Sequence, residues 1–313
     1  MKNPFRRSFR TRIAAILFFF LSIVIVHQLS YTNDVALASP ISDSIKILAA
    51  CPIPNLEASN DTFPRNVATI PNLVHQIWKT ADLDTYPIEA SHESWNTSFE
   101  HLNYTVKLWT EDDVLRLIKR NYSWLLQTYE GYPQNIQRAD VARLVVIHAE
   151  GGMYADLDVY PTSVERIICV QIQGLQAAFA PTGGTRGLSN HFFMAERGSP
   201  FIMWALQEAK RRGSTSKRIA LPYLQVFWST GPMMVTSAYR QYIWMYNTAG
   251  YELGVLEESF GGSVVRHKAG RSWHQLDGLI LNWIADNVQT ESKWLIALSL
   301  TIILGLIYRI ARR

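Results

Sequence analysis

The chain has 313 residues, 48% of them hydrophobic, and a formal net charge of +4. That length accommodates one large core or two small ones, and no internal repeat or low-complexity run indicates a second domain. Eight of the 30 basic residues fall within positions 2–12 and 309–313, so the body between them has a net charge of about −4. This charge disfavours nucleic acid as a partner.

The first predicted element is an apolar segment, residues 13–29, which follows a basic tail at residues 1–12. As a helix it would extend roughly 26 Å, slightly short of a ~30 Å hydrocarbon core, which suits a thin early secretory bilayer. The alternative is a cleaved signal peptide ending near Ala36-Leu37-Ala38. Because that sequence lies farther from the apolar run than is usual for cleavage, a transmembrane signal anchor is favoured.

Residues 30–68 carry few apolar repeats and four prolines, and we interpret them as a stem. Strands and helices alternate along the domain that follows, residues 69–288. The predicted strands are Leu73–Trp78, Thr105–Trp109, Leu175–Ala180, His191–Ala195, Leu253–Glu257 and Ser263–His267. The predicted helices are Asp112–Arg120, Gln134–Ala149, Pro200–Arg211 and Pro232–Tyr246. This alternation predicts an α/β fold with a largely parallel sheet, in which ligands bind beyond the carboxyl ends of the strands.

The tetrapeptide Ala-Asp-Leu-Asp occurs twice, at residues 81–84 and 155–158. The first copy lies in a polar run that ends at Tyr86-Pro87 and is predicted to be a solvated loop. The second copy follows two glycines and lies in a predicted strand, Met153–Val159. Alternation along a strand would put Asp156 and Asp158 on one side, where they could share a divalent cation.

The predicted helix Gln134–Ala149 leads directly into this second copy. Within it, Asp140 and Arg143 are three residues apart and therefore face the same way. A surface ion pair is the alternative interpretation. The position of the helix, immediately before the acidic strand, favours a role for both residues in the same site.

A second apolar segment, residues 294–310, precedes a basic tail at residues 311–313. Its apolar residues occur on every side, which favours a membrane span over a buried amphipathic helix. The positive-inside rule then predicts cytoplasmic tails and a lumenal body in a Golgi or other early secretory membrane. Cys51 and Cys169 could pair in that oxidising lumen, but two cysteines dictate no pairing. Four sequences would be glycosylation acceptors there: Asn60, Asn96, Asn103 and Asn121.

Several motifs resemble those of one family. The runs Gln-Arg-Ala-Asp-Val-Ala-Arg-Leu and Gly-Gly-Met-Tyr-Ala-Asp-Leu-Asp-Val, at residues 137–144 and 151–159, resemble the Asp-x-Asp region of the fungal family 32 glycosyltransferases. Residues 70–80 resemble the first core strand of that family. Three further motifs follow the order and spacing of the inositol phosphorylceramide mannosyltransferase branch: Gly187–Asn190, Ser229–Pro232 and Ser272–His274. The resemblance covers about residues 69–285.

This resemblance implies a GT-A-like, Rossmann-type nucleotide-sugar transferase domain flanked by transmembrane helices. It further implies a retaining transfer of mannose from GDP-mannose to a membrane acceptor, above all inositol phosphorylceramide. Mn²⁺ or Mg²⁺ would stabilise the departing diphosphate. A regulatory membrane subunit is a further partner that the resemblance allows.

The resemblance also implies roles for individual residues. Asp158 would bind the metal directly, and Asp156 would do so through water or hold the ribose. Asp140 and Arg143 would bind the hydroxyls of the donor sugar. Trp78 would stack on the base, with a buried core indole as the alternative.

A third metal ligand is expected near the C-terminal end of the domain, and His274 is the candidate, with His267 as a substitute. A structural histidine is the alternative. Ser189 and Asn190 would bind sugar hydroxyls or phosphate, or would form an ordinary turn. In this chain His191 follows them, where the sphingolipid enzymes usually have an acidic residue, and this leaves the acceptor open.

Two other functions therefore stay open. One is hexosyl transfer to a protein-linked glycan or a secreted metabolite. The other is an inactive membrane protein that uses the fold for binding or regulation, against which the intact Asp140, Arg143, Asp156 and Asp158 argue.

Overall fold

The structure is a computed structural model that describes residues 45–51, 70–182, 187–246, 253–268 and 277–279, with isolated residues between 16 and 31. The chain divides into two compact units. One unit comprises residues 1–33 and 274–313, and the other comprises residues 34–273. The elements below belong to the second unit.

The central feature is a seven-stranded sheet in the order β1-β8-β6-β7-β4-β2-β3. Its neighbours are parallel except β7, which runs antiparallel to both β6 and β4. A separate antiparallel pair consists of β5 and β9. The strands are β1 Lys46–Leu48, β2 Leu73–Ile77, β3 Thr105–Trp109, β4 Gly152–Ala155, β5 Val159–Pro161, β6 Ala177–Thr182, β7 Gly187–Ala195, β8 Leu253–Leu256 and β9 Val265–His267. The α/β architecture and the mostly parallel sheet agree with the prediction.

The described residues form nine α-helices and one short 3-10 helix, Leu83–Thr85. The α-helices are α1 His92–Phe99, α2 Glu111–Asn121, α3 Ser123–Gly131, α4 Asn135–Glu150, α5 Val164–Gln171, α6 Pro200–Ser216, α7 Pro222–Ser229, α8 Pro232–Tyr246 and α9 Glu258–Val264. Five of them, α1, α3, α5, α7 and α9, were not predicted from the sequence.

The sheet has a hydrophobic core on each face. Successive residues of β7 show why, since Phe193 packs with the core that includes α4, α6 and α8, while Phe192 packs with the core that includes α1, α5 and α9. Both rings are almost completely buried. Burial of a Phe side chain contributes about 1.5–3 kcal/mol, so the two cores hold β4 and β7 firmly between the helices.

Two glycines determine where α4 ends and β4 begins. Gly151 and Gly152 have φ angles of 69° and 100°, which residues other than glycine rarely adopt. A Cβ on Gly152 would lie 2.6 Å from the carbonyl oxygen of Leu73 on the neighbouring strand. The glycine pair therefore lets β4 approach β2 closely, directly after the helix.

The predicted strand Met153–Val159 is shorter than expected. The strand β4 ends at Ala155, and a turn follows in which the amide of Val159 donates to the carbonyl of Asp156 over 2.9 Å. The reason is that the chain leaves the sheet to pair with β9. Alternation along a strand therefore does not explain the positions of Asp156 and Asp158.

The segment interpreted as a stem contains a strand of the sheet. Within residues 30–68, β1 pairs in parallel with β8. Cys51, just after β1, forms a disulfide with Cys169 in α5, with 6.0 Å between the Cα atoms. The disulfide answers the question of pairing that the sequence left open.

The predicted fold class included flanking transmembrane helices, and this part of the prediction is wrong. Within the stretches that the structure describes, no helix is long and apolar enough to cross a membrane. The apolar runs behind the prediction have 17 residues each, whereas a helix that crosses the hydrocarbon core needs about 20. Residues 294–310, both terminal tails and about half of residues 13–29 lie outside the described residues.

Candidate active site

A buried arginine lies between two carboxylates at the carboxyl end of β4. The Nη2 atom of Arg143 is 3.2 Å from Oδ1 of Asp140, and its Nη1 atom is 3.2 Å from Oδ1 of Asp156. Nη1 also donates to the backbone carbonyl of Asn190 over 2.9 Å. The side chains of Asp140 and Arg143 are each only 5% exposed, so they do not form a surface ion pair.

Asp140 has further partners within this cluster. The side-chain amide of Asn190 donates to Oδ1 over 3.0 Å, and the hydroxyl of Thr230 donates to Oδ2 over 2.9 Å. Burial raises the pKa of Asp140 to about 6, although the charge of Arg143 and these hydrogen bonds oppose the rise. The carboxylate is therefore held in place by donors from three parts of the chain.

Asp156 lies at the more accessible edge of the cluster, with 26% of its side chain exposed. The hydroxyl of Tyr154 donates to its Oδ1 over 2.7 Å, and the ring of Tyr154 lies under the guanidinium of Arg143 at 5.0 Å. Burial raises the pKa of Asp156, while Arg143 lowers it. Its backbone amide donates to the carbonyl of His191, which aligns the turn with β7.

Asp158 contacts a pair of histidines. Its Oδ2 lies 3.4 Å from Nε2 of His267, which β9 places opposite Val159. The His267 ring stacks on that of His191, with 4.3 Å between the centroids. Burial lowers the pKa of His267, but the hydrogen bond to Asp158 and the negative charges of Asp158 and Asp156 together outweigh this effect, so the pKa is raised. Burial lowers the pKa of His191 to about 3, so this histidine is neutral.

Ser189 and Asn190 both belong to β7 and are nearly buried. The Ser189 hydroxyl lies 2.5 Å from Nδ1 of His191, within hydrogen-bond distance. Asn190 bonds to Asp140 with its side chain and to Arg143 with its carbonyl. The strand β7, and not an ordinary turn, therefore brings these residues to the cluster.

Trp78 follows β2 at the same end of the sheet. Its indole Nε1 donates to the hydroxyl of Thr85 over 2.7 Å, and its ring meets that of Tyr86 edge to face at 4.7 Å. Burial raises the pKa of Tyr86, and the negative charges of Asp158 and Asp156 raise it further. Tyr86 thus contacts Trp78 and is influenced by the charge of the two carboxylates. From the sequence, Tyr86 was predicted only to end a loop.

His274 lies outside the described residues, so the structure gives it no position. His267, the substitute candidate, is the histidine that lies beside Asp158. Thr230 is a further residue of the cluster. The motif Ser229–Pro232 contains it, but no role in the site was predicted for it, because its partner Asp140 lies 90 positions earlier in the chain.

The first Ala-Asp-Leu-Asp copy lies apart from this cluster. Asp82 and Asp84 are exposed, and Oδ1 of Asp82 accepts the backbone amide of Asp84 over 3.0 Å at the start of the 3-10 helix. The predicted solvated loop agrees with this position. The carboxylate of Asp82 caps the short helix, that of Asp84 lies in its first turn, and both residues are exposed to solvent.

The residues present fit a divalent cation that is bound together with a diphosphate. Among the described residues, no three His, Cys, Asp or Glu side chains converge as a complete metal cage. Asp156 and Asp158 supply two carboxylates just after β4, with 26% and 11% of their side chains exposed. Mn²⁺ and Mg²⁺ are commonly held by one or two carboxylates with the remaining positions filled by water and substrate phosphates.

A groove of about 740 Å³ lies elsewhere on the molecule, beside α2 and the end of α4. Its lining includes Trp109, Arg120, Glu150 and Arg197, and it shares no residue with the carboxylate cluster. It is therefore distinct from the candidate active site.

One family model matches the part of the chain that contains most of the cluster. Residues 85–168, which include Asp140, Arg143, Asp156 and Asp158, match the family model described as glycosyltransferase sugar-binding region containing DXD motif. Among solved structures, the PaToxG glycosyltransferase aligns over 76% of this chain and 80% of its own, with 15% identity and a TM-score of 0.41.

Two curated yeast relatives align over most of the chain. Inositol phosphoceramide mannosyltransferase 3 of Schizosaccharomyces pombe is 28% identical over 70% of this chain and 60% of its own length. Mannosyl phosphorylinositol ceramide synthase SUR1 of Saccharomyces cerevisiae is 28% identical over 74% of this chain and 59% of its own length. The chain thus spans about 60% of the length of these two relatives. The resemblance to the Asp-x-Asp glycosyltransferases, and among them to the inositol phosphoceramide mannosyltransferases, is confirmed.

Proposed function

We propose that this protein is a metal-dependent glycosyltransferase that moves mannose from GDP-mannose to inositol phosphorylceramide. The observation that carries the proposal is the buried cluster of Asp140, Arg143 and Asp156, with Asp158 beside it, at the carboxyl end of β4. The match to the DXD sugar-binding region supports the reaction type. The names of the yeast relatives support the sugar and the acceptor.

Asp156 and Asp158 would hold Mn²⁺ or Mg²⁺. When bound, the cation supplies positive charge that stabilises the diphosphate as it leaves the sugar. His267, paired with Asp158, fixes the orientation of that carboxylate. Tyr154 does the same for Asp156 through its hydroxyl.

Arg143 and Asp140 form the floor of the site. The positive charge of the Arg143 guanidinium favours the ionised form of both neighbouring carboxylates, because it opposes the rise in pKa that burial causes in each. Asp140 would accept a hydroxyl of the donor sugar. Trp78 and Tyr86 offer an aromatic surface for the base. Retention of the anomeric configuration stays a prediction from the resemblance.

We also propose a Golgi or other early secretory lumen as the compartment. The disulfide between Cys51 and Cys169 supports it, because disulfides persist in oxidising compartments. Treatment with an N-glycosidase should shift the mobility of the protein on a gel. An unshifted protein with free thiols would contradict a lumenal domain.

The function is tested with detergent-solubilised protein, Mn²⁺, a panel of sugar nucleotides and inositol phosphorylceramide in micelles. We expect release of GDP from GDP-mannose and a lipid product heavier by one hexose, measured by mass spectrometry. Release of GDP with no lipid product, together with transfer to a glycan or a small metabolite, would favour the alternative acceptors. No turnover with any donor would contradict a catalytic role.

A further inference from the structure

Three consecutive residues at the end of α7 each bind a different partner. The carbonyl of Trp228 accepts from Nη1 of Arg212 over 2.8 Å. The hydroxyl of Ser229 accepts from the side-chain amide of Gln137 over 2.7 Å. The hydroxyl of Thr230 donates to Oδ2 of Asp140 over 2.9 Å. Both hydroxyl residues are fully buried, so this segment is held on several sides within the protein interior.

The two partners on α4 are neighbours. Gln137 and Asp140 are three residues apart and lie one above the other on the helix surface. The side-chain oxygen of Gln137 also accepts the backbone amide of Gln134 over 3.1 Å, which fixes the direction of its amide group. Two adjacent hydroxyls of α7 thus meet two adjacent side chains of α4.

Arg212 anchors the same segment from the opposite side. It lies in α6, is 1% exposed, and pairs with Glu208 over 2.6 Å. Its Nη2 atom donates to the hydroxyl of Ser237 in α8 over 2.6 Å. The end of α7 is therefore bound to α4 and α6, and Arg212 links it in turn to α8. Because hydrogen bonds to buried charged groups are strong, the segment has little freedom to move.

The acceptor capacity of Asp140 is nearly filled. An ionised carboxylate has about four lone-pair positions. Within the described part of the chain, Oδ1 receives Asn190 and faces Arg143, and Oδ2 receives Thr230. Counted over the described residues, one acceptor position remains, on Oδ2, and the hydroxyl of Thr230 occupies the other position of that oxygen.

We propose that Thr230 is a positioning residue that aims the remaining acceptor position of Asp140 at one hydroxyl of the donor sugar. This inference rests on the proposed function. Thr230 does not contact the nucleotide; it acts through Asp140. Loss of its hydroxyl therefore weakens binding of the sugar part of the donor and leaves binding of the nucleoside diphosphate unchanged.

The test compares the affinities of the full-length protein for GDP-mannose and for GDP, both with Mn²⁺, by calorimetry. Thr230→Val keeps the shape of the side chain and removes the hydroxyl. We expect it to lower the affinity for GDP-mannose relative to GDP about 10-fold, the usual size for a hydrogen bond to a charged group. Thr230→Ser keeps the hydroxyl and should restore the ratio.

Ser229→Ala is the matched control. It breaks the bond to Gln137 at an equally buried neighbour and leaves the bond to Asp140 in place. We expect it to lower the melting temperature without changing the ratio of the two affinities. An equal change in ratio for Ser229→Ala and Thr230→Val would overturn the proposal, because both would then act through general loosening of α7.

A double-mutant cycle with Asp140→Asn completes the test. If Thr230 acts through Asp140, Thr230→Val should change the affinity ratio little in the Asp140→Asn background. An unchanged ratio in the wild-type background, or an equal loss in both backgrounds, would refute the inference. Should Thr230→Val not fold, Thr230→Ala removes the same hydroxyl. Failure of the proposed function gives a different result, in which the wild-type protein binds GDP-mannose no better than GDP.

Discussion

The same four residues, Ala-Asp-Leu-Asp, adopt two unrelated roles in this protein. At 81–84 both aspartates are exposed, and the carboxylate of Asp82 caps a short 3-10 helix. At 155–158 they follow a buried strand, and Asp156 contacts a buried arginine. The difference lies entirely in the surroundings, since the local sequence is identical. A short acidic motif therefore indicates a site only where the fold supplies charge partners and restricted solvent.

The largest predicted effect follows from removing carboxylate charge from each copy in turn. Asp158→Asn should lower glycosyl transfer on the order of 100-fold or more, because it removes a carboxylate that would hold the cation at the departing diphosphate. The control is the double variant Asp82→Asn with Asp84→Asn, which should retain full activity. Initial rates of GDP release measure both. Comparable losses of activity in the two variants would contradict the assignment of the metal site to the second copy alone.

The second prediction concerns Arg143, the charge partner of the second copy. Arg143→Ala should lower the free energy of unfolding by about 3–5 kcal/mol, since it leaves the buried carboxylate of Asp140 and the partly buried carboxylate of Asp156 without their positively charged partner. The control Arg116→Ala removes an exposed partner of Asp113 and should change stability by about 0–1 kcal/mol. Urea denaturation measures both values. A loss below about 1 kcal/mol for Arg143→Ala would show that the cluster is well solvated.

The third prediction concerns the two glycines that precede the second copy. Gly152→Ala should destabilise the protein by about 1–3 kcal/mol from backbone strain alone, and further because the added methyl would lie 2.6 Å from the Leu73 carbonyl oxygen. Gly198 also has a positive φ, but a Cβ there would meet no atom within 4 Å. Gly198→Ala should therefore lose only the stability that backbone strain costs. Melting temperatures compare the two. Equal losses would mean that close approach of β4 to β2 is unimportant.

The smallest expected effect is a pH dependence of donor binding. Because the pKa of Asp140 is raised to about 6, protonation should weaken binding of GDP-mannose relative to GDP as the pH falls below about 6. The same shift stabilises the folded protein at low pH, and this contribution disappears as the pH rises from about 4 to about 6. Calorimetry between pH 5 and 7 measures the ratio. A constant ratio would show that Asp140 does not bind the sugar in its ionised form.

The local sequence pattern was sufficient to predict many of the strands and helices. The strand Thr105–Trp109 and the helix Pro232–Tyr246 have the predicted bounds, and Asp140 and Arg143 share a helix face as their spacing requires. Pattern failed where the chain leaves a regular element. The turn after Ala155 breaks the alternation that had explained the carboxylates, because pairing of β5 with β9 prevails over continuation of β4.

By itself, the sequence determined the alternation of strands and helices, the glycine pair and the acidic residues that follow it, because each depends on neighbours within a turn or a strand. Only the tertiary structure decided which distant residues complete the cluster. Asn190, Thr230 and His267 reach it from β7, from the end of α7 and from β9, and Cys51 reaches Cys169 across 118 positions. Such contacts depend on how buried faces pack against each other, and side-chain periodicity carries no record of that packing.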